Sequence, residues 1–133
     1  MNNIGKIIEF RSDAFPPDVE DQELVNSHCM HGHALATYIG EQLAQRGFAV
    51  SRYVAEDWGW YCEVDNPEFS LWYGVSSIEE HCFLIQFHPN RPQIRRWLKK
   101  IDVSHRIAEL QDAVFAILLS SNRKPTDPLW IEA

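Results

Sequence analysis

The chain has 133 residues, 45% of them hydrophobic, enough to bury one core and too few for a second independent domain, so residues 1–133 are expected to form a single globular domain. Nineteen acidic against twelve basic residues leave a net charge of -7, which favours solubility and disfavours nucleic acid and anionic membranes as partners. Met1 to Phe10 carry no export signal, no apolar run approaches the roughly 20 residues of a membrane span, and the three cysteines form no CxxC pair, so a reducing cytoplasm with Cys29, Cys62 and Cys82 as thiols is expected.

Ile4 to Phe10 reads as an opening strand, stopped by Phe15-Pro16-Pro17, because consecutive prolines exclude both a helix and a central strand. The segment Asp18 to Asn26 is acidic and without apolar period, which predicts a surface loop. From Gly32 to Arg46, Leu35, Ile39 and Leu43 recur every four residues with Ala36 and Ala44 beside them, predicting an amphipathic helix that ends at Gly47. Within it, Gly40 marks a place where a neighbouring element can come close. Phe48–Asp57, Trp60–Val64, Phe69–Val75 and His81–Phe87 are short runs rich in Val, Tyr, Trp and Phe, separated by turn-formers. Their connections are too short for crossover helices, so an antiparallel meander is predicted.

After His88-Pro89-Asn90, the pattern predicts a short basic helix over Ile94 to Ile101, with Trp97 and Leu98 toward the core. Ser104 is the expected N-cap of a longer helix reaching about Asn122, whose buried stripe is Ile107, Leu110, Val114, Ile117 and Leu118, widened by Phe115 and Leu119. Leu129-Trp130-Ile131 is placed to dock as a last short strand. The predicted class is α+β, a mainly antiparallel sheet of four to six strands with about three helices packed on one face.

Two stretches, Phe10-Arg11-Ser12-Asp13-Ala14-Phe15-Pro16-Pro17 and Ala55-Glu56-Asp57-Trp58-Gly59-Trp60-Tyr61, resemble a set of small bacterial proteins of similar length. The resemblance implies a single bacterial domain and brings no activity, cofactor or catalytic residue with it.

Chemistry-bearing clusters are sparse. Glu56-Asp57-Trp58-Gly59-Trp60 sets two carboxylates beside two indoles, a combination suited to a cation, a sugar or a basic side chain. The competing reading is a turn at Asp57 and Gly59, with Trp58 and Trp60 on one side of an extended segment packing on the helices. His28, Cys29, His31 and His33 supply metal-ligand types, but no second paired cluster follows to complete a tetrahedral set, so no metal is assigned. No Gly-x-Ser-x-Gly, dinucleotide or phosphate-loop motif occurs, and no cofactor is implied. Arg91, Arg95, Arg96, Lys99 and Lys100 gather five basic residues within ten positions. They could hold a phosphate or nucleic acid, which the overall charge opposes; as a helix they would form a solvated face, with Arg95 and Lys99, and Arg96 and Lys100, stacked one turn apart, the alternative being an acidic protein partner or self-association through the Asp13–Glu23 segment.

The acidic balance and the abundance of Trp and Tyr, without catalytic motifs, point to a non-catalytic cytoplasmic protein-binding domain, for example an immunity-type inhibitor of a basic toxin. Two alternatives come from other classes. One is a small-molecule site or hydrolase-like enzyme centred on Glu56, Asp57, Trp58 and Trp60; the other is a structural or self-associating protein, whose mark would be an exposed apolar sheet face or edge. The oligomeric state is not legible in the sequence.

Overall fold

The computed structural model describes residues 3–24, 29–97, 99–121 and 127–133. Among them, β1 (Lys6–Arg11) is followed by a 3₁₀ turn (Val19–Glu23), helix α1 (His33–Ala44) and a run of strands. The run comprises β2 (Val50–Glu56), β3 (Gly59–Val64), β4 (Leu71–Glu79), β5 (Cys82–His88), β6 (Gln93–Arg96) and β7 (Lys99–Asp102). Helix α2 (Ser104–Ser120) and β8 (Leu129–Glu132) complete the order.

The main sheet has six strands in the order β2-β3-β4-β5-β1-β8, and every pairing in it is antiparallel. The predicted meander is present as β2 to β5, and the first and last strands close the sheet beside it. Short turns force this arrangement: Asp57-Trp58 and Glu80-His81 leave no chain for a crossover.

Alternation sorts each strand onto two faces. Ile8 and Phe10, Trp60, Cys62 and Val64, Leu71, Tyr73 and Val75, and Phe83, Ile85 and Phe87 point into one core with both helices. From α1, Leu35, Ile39 and Leu43 are fully buried, each contributing roughly 1.5–3 kcal/mol of transfer free energy. The α2 stripe is buried as predicted at Ile107, Leu110, Val114, Ile117 and Leu118, whereas Leu119 stands partly in water. Gly40 is where α1 meets the sheet: a Cβ there would run into the Tyr53 hydroxyl and come within 3.2 Å of that of Tyr73. The Tyr73 hydroxyl in turn donates to the Ala36 carbonyl at 2.9 Å.

Three expectations are corrected. The predicted third helix over Ile94 to Ile101 is the β6–β7 hairpin, with Ile94 opposite Ile101, Arg95 opposite Lys100 and Arg96 opposite Lys99. Ile94 and Ile101, seven residues apart, share one helical face, but they also sit opposite each other as a cross-strand pair, and the hairpin wins. Trp97, expected in the core, is the loop's first residue, with φ of 60° and 91% exposure; Leu98 lies outside the described residues. Ser104 is the first helical residue rather than the cap. Its amide donates to the Asp102 carboxylate, two residues upstream, which closes the helix start. The segment after Asp18 is not a plain loop either, since Val19–Glu23 winds into a 3₁₀ turn with a capping box between Asp18 and Asp21. Asn26 and Asn122 fall outside the described residues.

The β2–β3 turn ends on Gly59, at φ of 149°, where a Cβ would run into the Val75 carbonyl oxygen of the neighbouring strand. Backbone strain and that clash together predict that Gly59→Ala lowers stability by at least about 2 kcal/mol in a urea titration, while Gly47→Ala, at φ of 87° with open space around it, loses about 1 kcal/mol.

Candidate functional site

The face of the sheet opposite the core carries no helix among the described residues. What it presents instead is a row of aromatic rings. Trp72 and His88 sit directly across from one another on β4 and β5 and stack at 5.2 Å with 13° between their planes. Trp58, from the β2–β3 turn, stacks on Trp72 at 5.6 Å and 24°. Tyr61 tilts against the same indole at 5.0 Å.

Gly74 makes this packing possible. It faces outward between Tyr61 and Gln86, and a Cβ on it would lie 2.6 Å from two ring carbons of Trp58, so only glycine lets that indole lie flat on the sheet. Polar groups border the row. Arg52 Nε donates to Glu63 Oε1 at 2.8 Å, the guanidinium lies over the Tyr61 ring, and the Tyr61 hydroxyl donates to Glu63 Oε2 at 3.2 Å. The hydrogen bond from Arg52 holds the Glu63 carboxyl below its ordinary range, and partial burial raises the Tyr61 hydroxyl. Glu56 and Asp57 stand exposed at the end of β2 and in the turn beside Trp58.

The four residues of the Glu56–Trp60 cluster therefore do not converge. Trp58 lies on the open face, and Trp60 is 2% exposed within the core. The two-residue rule for an extended chain fails across them because positions 57–58 are a turn. Asp57 and Trp58 do line an open cleft of about 380 Å³ with Cys29, Ser76, Ser77 and Ile78, to which Glu56 does not contribute.

Trp60 is instead part of a network centred on Asp21. Asp21 Oδ1 accepts from the Trp60 indole N–H at 2.9 Å and from the backbone amides of Gly32 and His33 at 3.0 and 3.1 Å. Asp21 Oδ2 accepts from the Asp18 amide at 2.9 Å, and Asp18 Oδ2 lies 2.8 Å from His33 Nδ1. The His33 ring packs against Trp60 at 4.6 Å. Helix α1 starts at Gly32, which offers no capping side chain, so the acidic segment supplies the acceptor its first amides require.

Of the histidine cluster, His28 lies outside the described residues. His31 is 1% exposed, edge-on to Phe83 at 5.1 Å, and neither ring nitrogen has a hydrogen-bond partner among the described residues; burial lowers its pKa. No group of three or more His, Cys, Asp or Glu is placed to share a metal among the described residues. Cys29, Cys62 and Cys82 are buried and form no disulfide with one another, and burial pushes the last two away from the reactive thiolate. Of the basic group, Arg95, Lys99 and Lys100 are exposed on the hairpin, and Arg96 occupies the β6 position opposite Lys99.

Sequence reasoning did not single out Tyr61, Trp72, His88 or Asp21. A signal for the first two exists: in β3 and β4 the outward positions beside Trp60 and Tyr73 are also aromatic, so both strands carry aromatic side chains on both faces. No family model, curated protein or solved structure matches the chain.

Two outcomes follow for folding. Removing the Asp21 carboxylate leaves the Trp60 N–H and the α1 amides without their acceptor, so Asp21→Ala is expected to cost about 2–3 kcal/mol in denaturant titrations, against no more than about 0.5 kcal/mol for exposed Asp13→Ala. The unfolded chain protonates His31 near 6.5, whereas the folded chain resists it, so stability is full above that value and falls as pH drops below it. His31→Leu forfeits no hydrogen bond and is expected to flatten part of the fall in thermal midpoint between about pH 7 and about pH 5.

Proposed function

We propose that the protein is a non-catalytic recognition domain that docks another protein on the open face of its sheet, with inhibition of a basic toxin as the concrete case. The observation that carries this reading is the Trp58–Trp72–His88 row on a face that no helix covers among the described residues. Aromatic side chains offer large contact area for little loss of conformational freedom and concentrate at the energetic centres of interfaces. The row is prearranged, since Gly74 and the mutual stacking fix the rings before any partner arrives. Around it, the Arg52–Glu63 pair and the exposed Glu56 and Asp57 form a polar rim.

Charge selects the partner. With a net charge of -7, the chain attracts a basic protein at long range, and Glu56 and Asp57 place two carboxylates next to the aromatic anchor. Occlusion by such a domain needs no reacting group, in keeping with buried, protonated Cys62 and Cys82.

The small-molecule reading has one observation of its own, the cleft beside Trp58. A metabolite that raises the thermal midpoint of the wild type and not of Trp58→Ala would select it.

The docking reading is tested by capture with the wild-type chain and with Trp72→Ala, a half-buried position that can be truncated without opening the core. A basic partner held in a defined ratio by the wild type is expected to bind Trp72→Ala about 30-fold more weakly, the size of an interface hot spot, and to associate more slowly as salt rises. Equal retention by the two forms, or a second copy of the chain as the only partner, contradicts it.

A further inference from the structure

The β6–β7 hairpin pairs with no strand of the main sheet. It is fixed to the body by Ile94 and Ile101, which pack against the core, and by the Val103 amide, which donates to the Pro92 carbonyl at 2.8 Å. Between the hairpin and the loop that leads into it lies a cleft of about 420 Å³, lined by His88, Asn90, Arg91, Gln93, Arg95 and Lys100 together with Pro89 and Ile94. No acidic residue lines it, in a chain where acids outnumber bases.

The arrangement of its cations is unusual. Arg95 and Lys100 sit directly opposite each other in the ladder, a placement in which like charges destabilise a strand pair. Lys6, Arg11, Arg52 and Arg106 each meet a carboxylate, but Arg91, Arg95 and Lys100 form no ion pair among the described residues. Asp102 on β7 forms no ion pair with them among the described residues; its Oδ1 accepts from the amide and hydroxyl of Ser104. Three uncompensated cations therefore converge on one concavity, with the side-chain amides of Asn90 and Gln93 as directional donors.

We propose that this cleft binds a phosphate-type oxyanion, independently of what docks on the open face. Two guanidinium groups offer paired N–H donors that match the oxygens of a phosphate, and Lys100 adds a point charge. The volume accommodates a phosphate with a small group attached. An extended polyanion is disfavoured, since beyond the hairpin it would meet an acidic chain. The same chemistry is carried by a free phosphorylated metabolite and by a phosphorylated side chain of a partner, and these are separable by experiment.

The test is calorimetric titration of the full chain at constant ionic strength with inorganic phosphate, inorganic pyrophosphate and a short phosphoserine peptide. Saturable one-site binding of at least one probe is expected. It should weaken at least about tenfold in Arg95→Gln/Lys100→Gln, the lower end of the value of hydrogen bonds to charged groups, and remain unchanged in Lys99→Gln, which alters the same hairpin outside the cleft. Tighter binding of pyrophosphate assigns the site to a metabolite, and tighter binding of the peptide assigns it to a phosphorylated protein. Three results overturn the proposal: no probe binds saturably, the double variant binds as the wild type does, or Lys99→Gln loses as much as the double variant.

Discussion

The carboxylate of Asp21, placed at the start of α1, is the contact on which the architecture turns. One oxygen holds two helix amides and the indole of Trp60, so a single side chain joins the acidic segment, the first turn of α1 and the third strand. Such a junction fixes more than the helix terminus. With α1 anchored at one end, pressed onto Tyr53 and Tyr73 at Gly40 and released at Gly47, its path across β2, β3 and β4 is determined along its length. Helix α2 then packs beside α1 and over β5, and the core closes on one side of the sheet.

What happens on the other side is a consequence. A six-stranded sheet whose outward positions include Trp72, Tyr61 and Leu84 leaves apolar surface in water, and such surface is usually kept small or put to use. Here the rings stack on one another. Trp58 folds back over Gly74, Trp72 lies between Trp58 and His88, and Arg52 and Glu63 satisfy each other beside them. The face is thereby ordered and ready for a partner. Charge is divided in the same economical way: most of the chain is acidic, while Arg91, Arg95 and Lys100 are collected around a single cleft at the hairpin. His88 belongs to both features, stacked on Trp72 and lining the cleft, so the docking face and the cationic cleft are contiguous.

Local pattern made part of this legible. The four-residue recurrence of Leu35, Ile39 and Leu43 and the turn-formers between aromatic runs are signals written within ten residues, and α1, the β2–β5 meander, the body of α2 and β8 follow from them. Where one pattern fits two structures, sequence is ambiguous. Ile94 and Ile101 suit one face of a helix and a cross-strand pair of a hairpin alike, and their packing against the core decides. Trp58 and Trp60 are two apart yet on opposite faces because a turn lies between them. Asp21 was hidden for a different reason: apart from the Asp18 amide, its partners are 11 to 39 residues away, where no local pattern points to them. Of the expected site, Glu56, Asp57 and Trp58 border the open face, Trp60 does not, and the central rings came to light only through strand register.

Among the described residues the sheet is covered on one side only, with Trp60 buried beneath α1 and the Trp58–Trp72 pair in contact with solvent. Paramagnetic relaxation of the tryptophan ring signals by a soluble, uncharged gadolinium chelate reads this directly in the free protein. This arrangement predicts strong broadening of Trp97, clear broadening of Trp58 and Trp72, and sharp signals from Trp60. Protection of Trp58 and Trp72 equal to that of Trp60 would mean that the outer face is covered, and would contradict it.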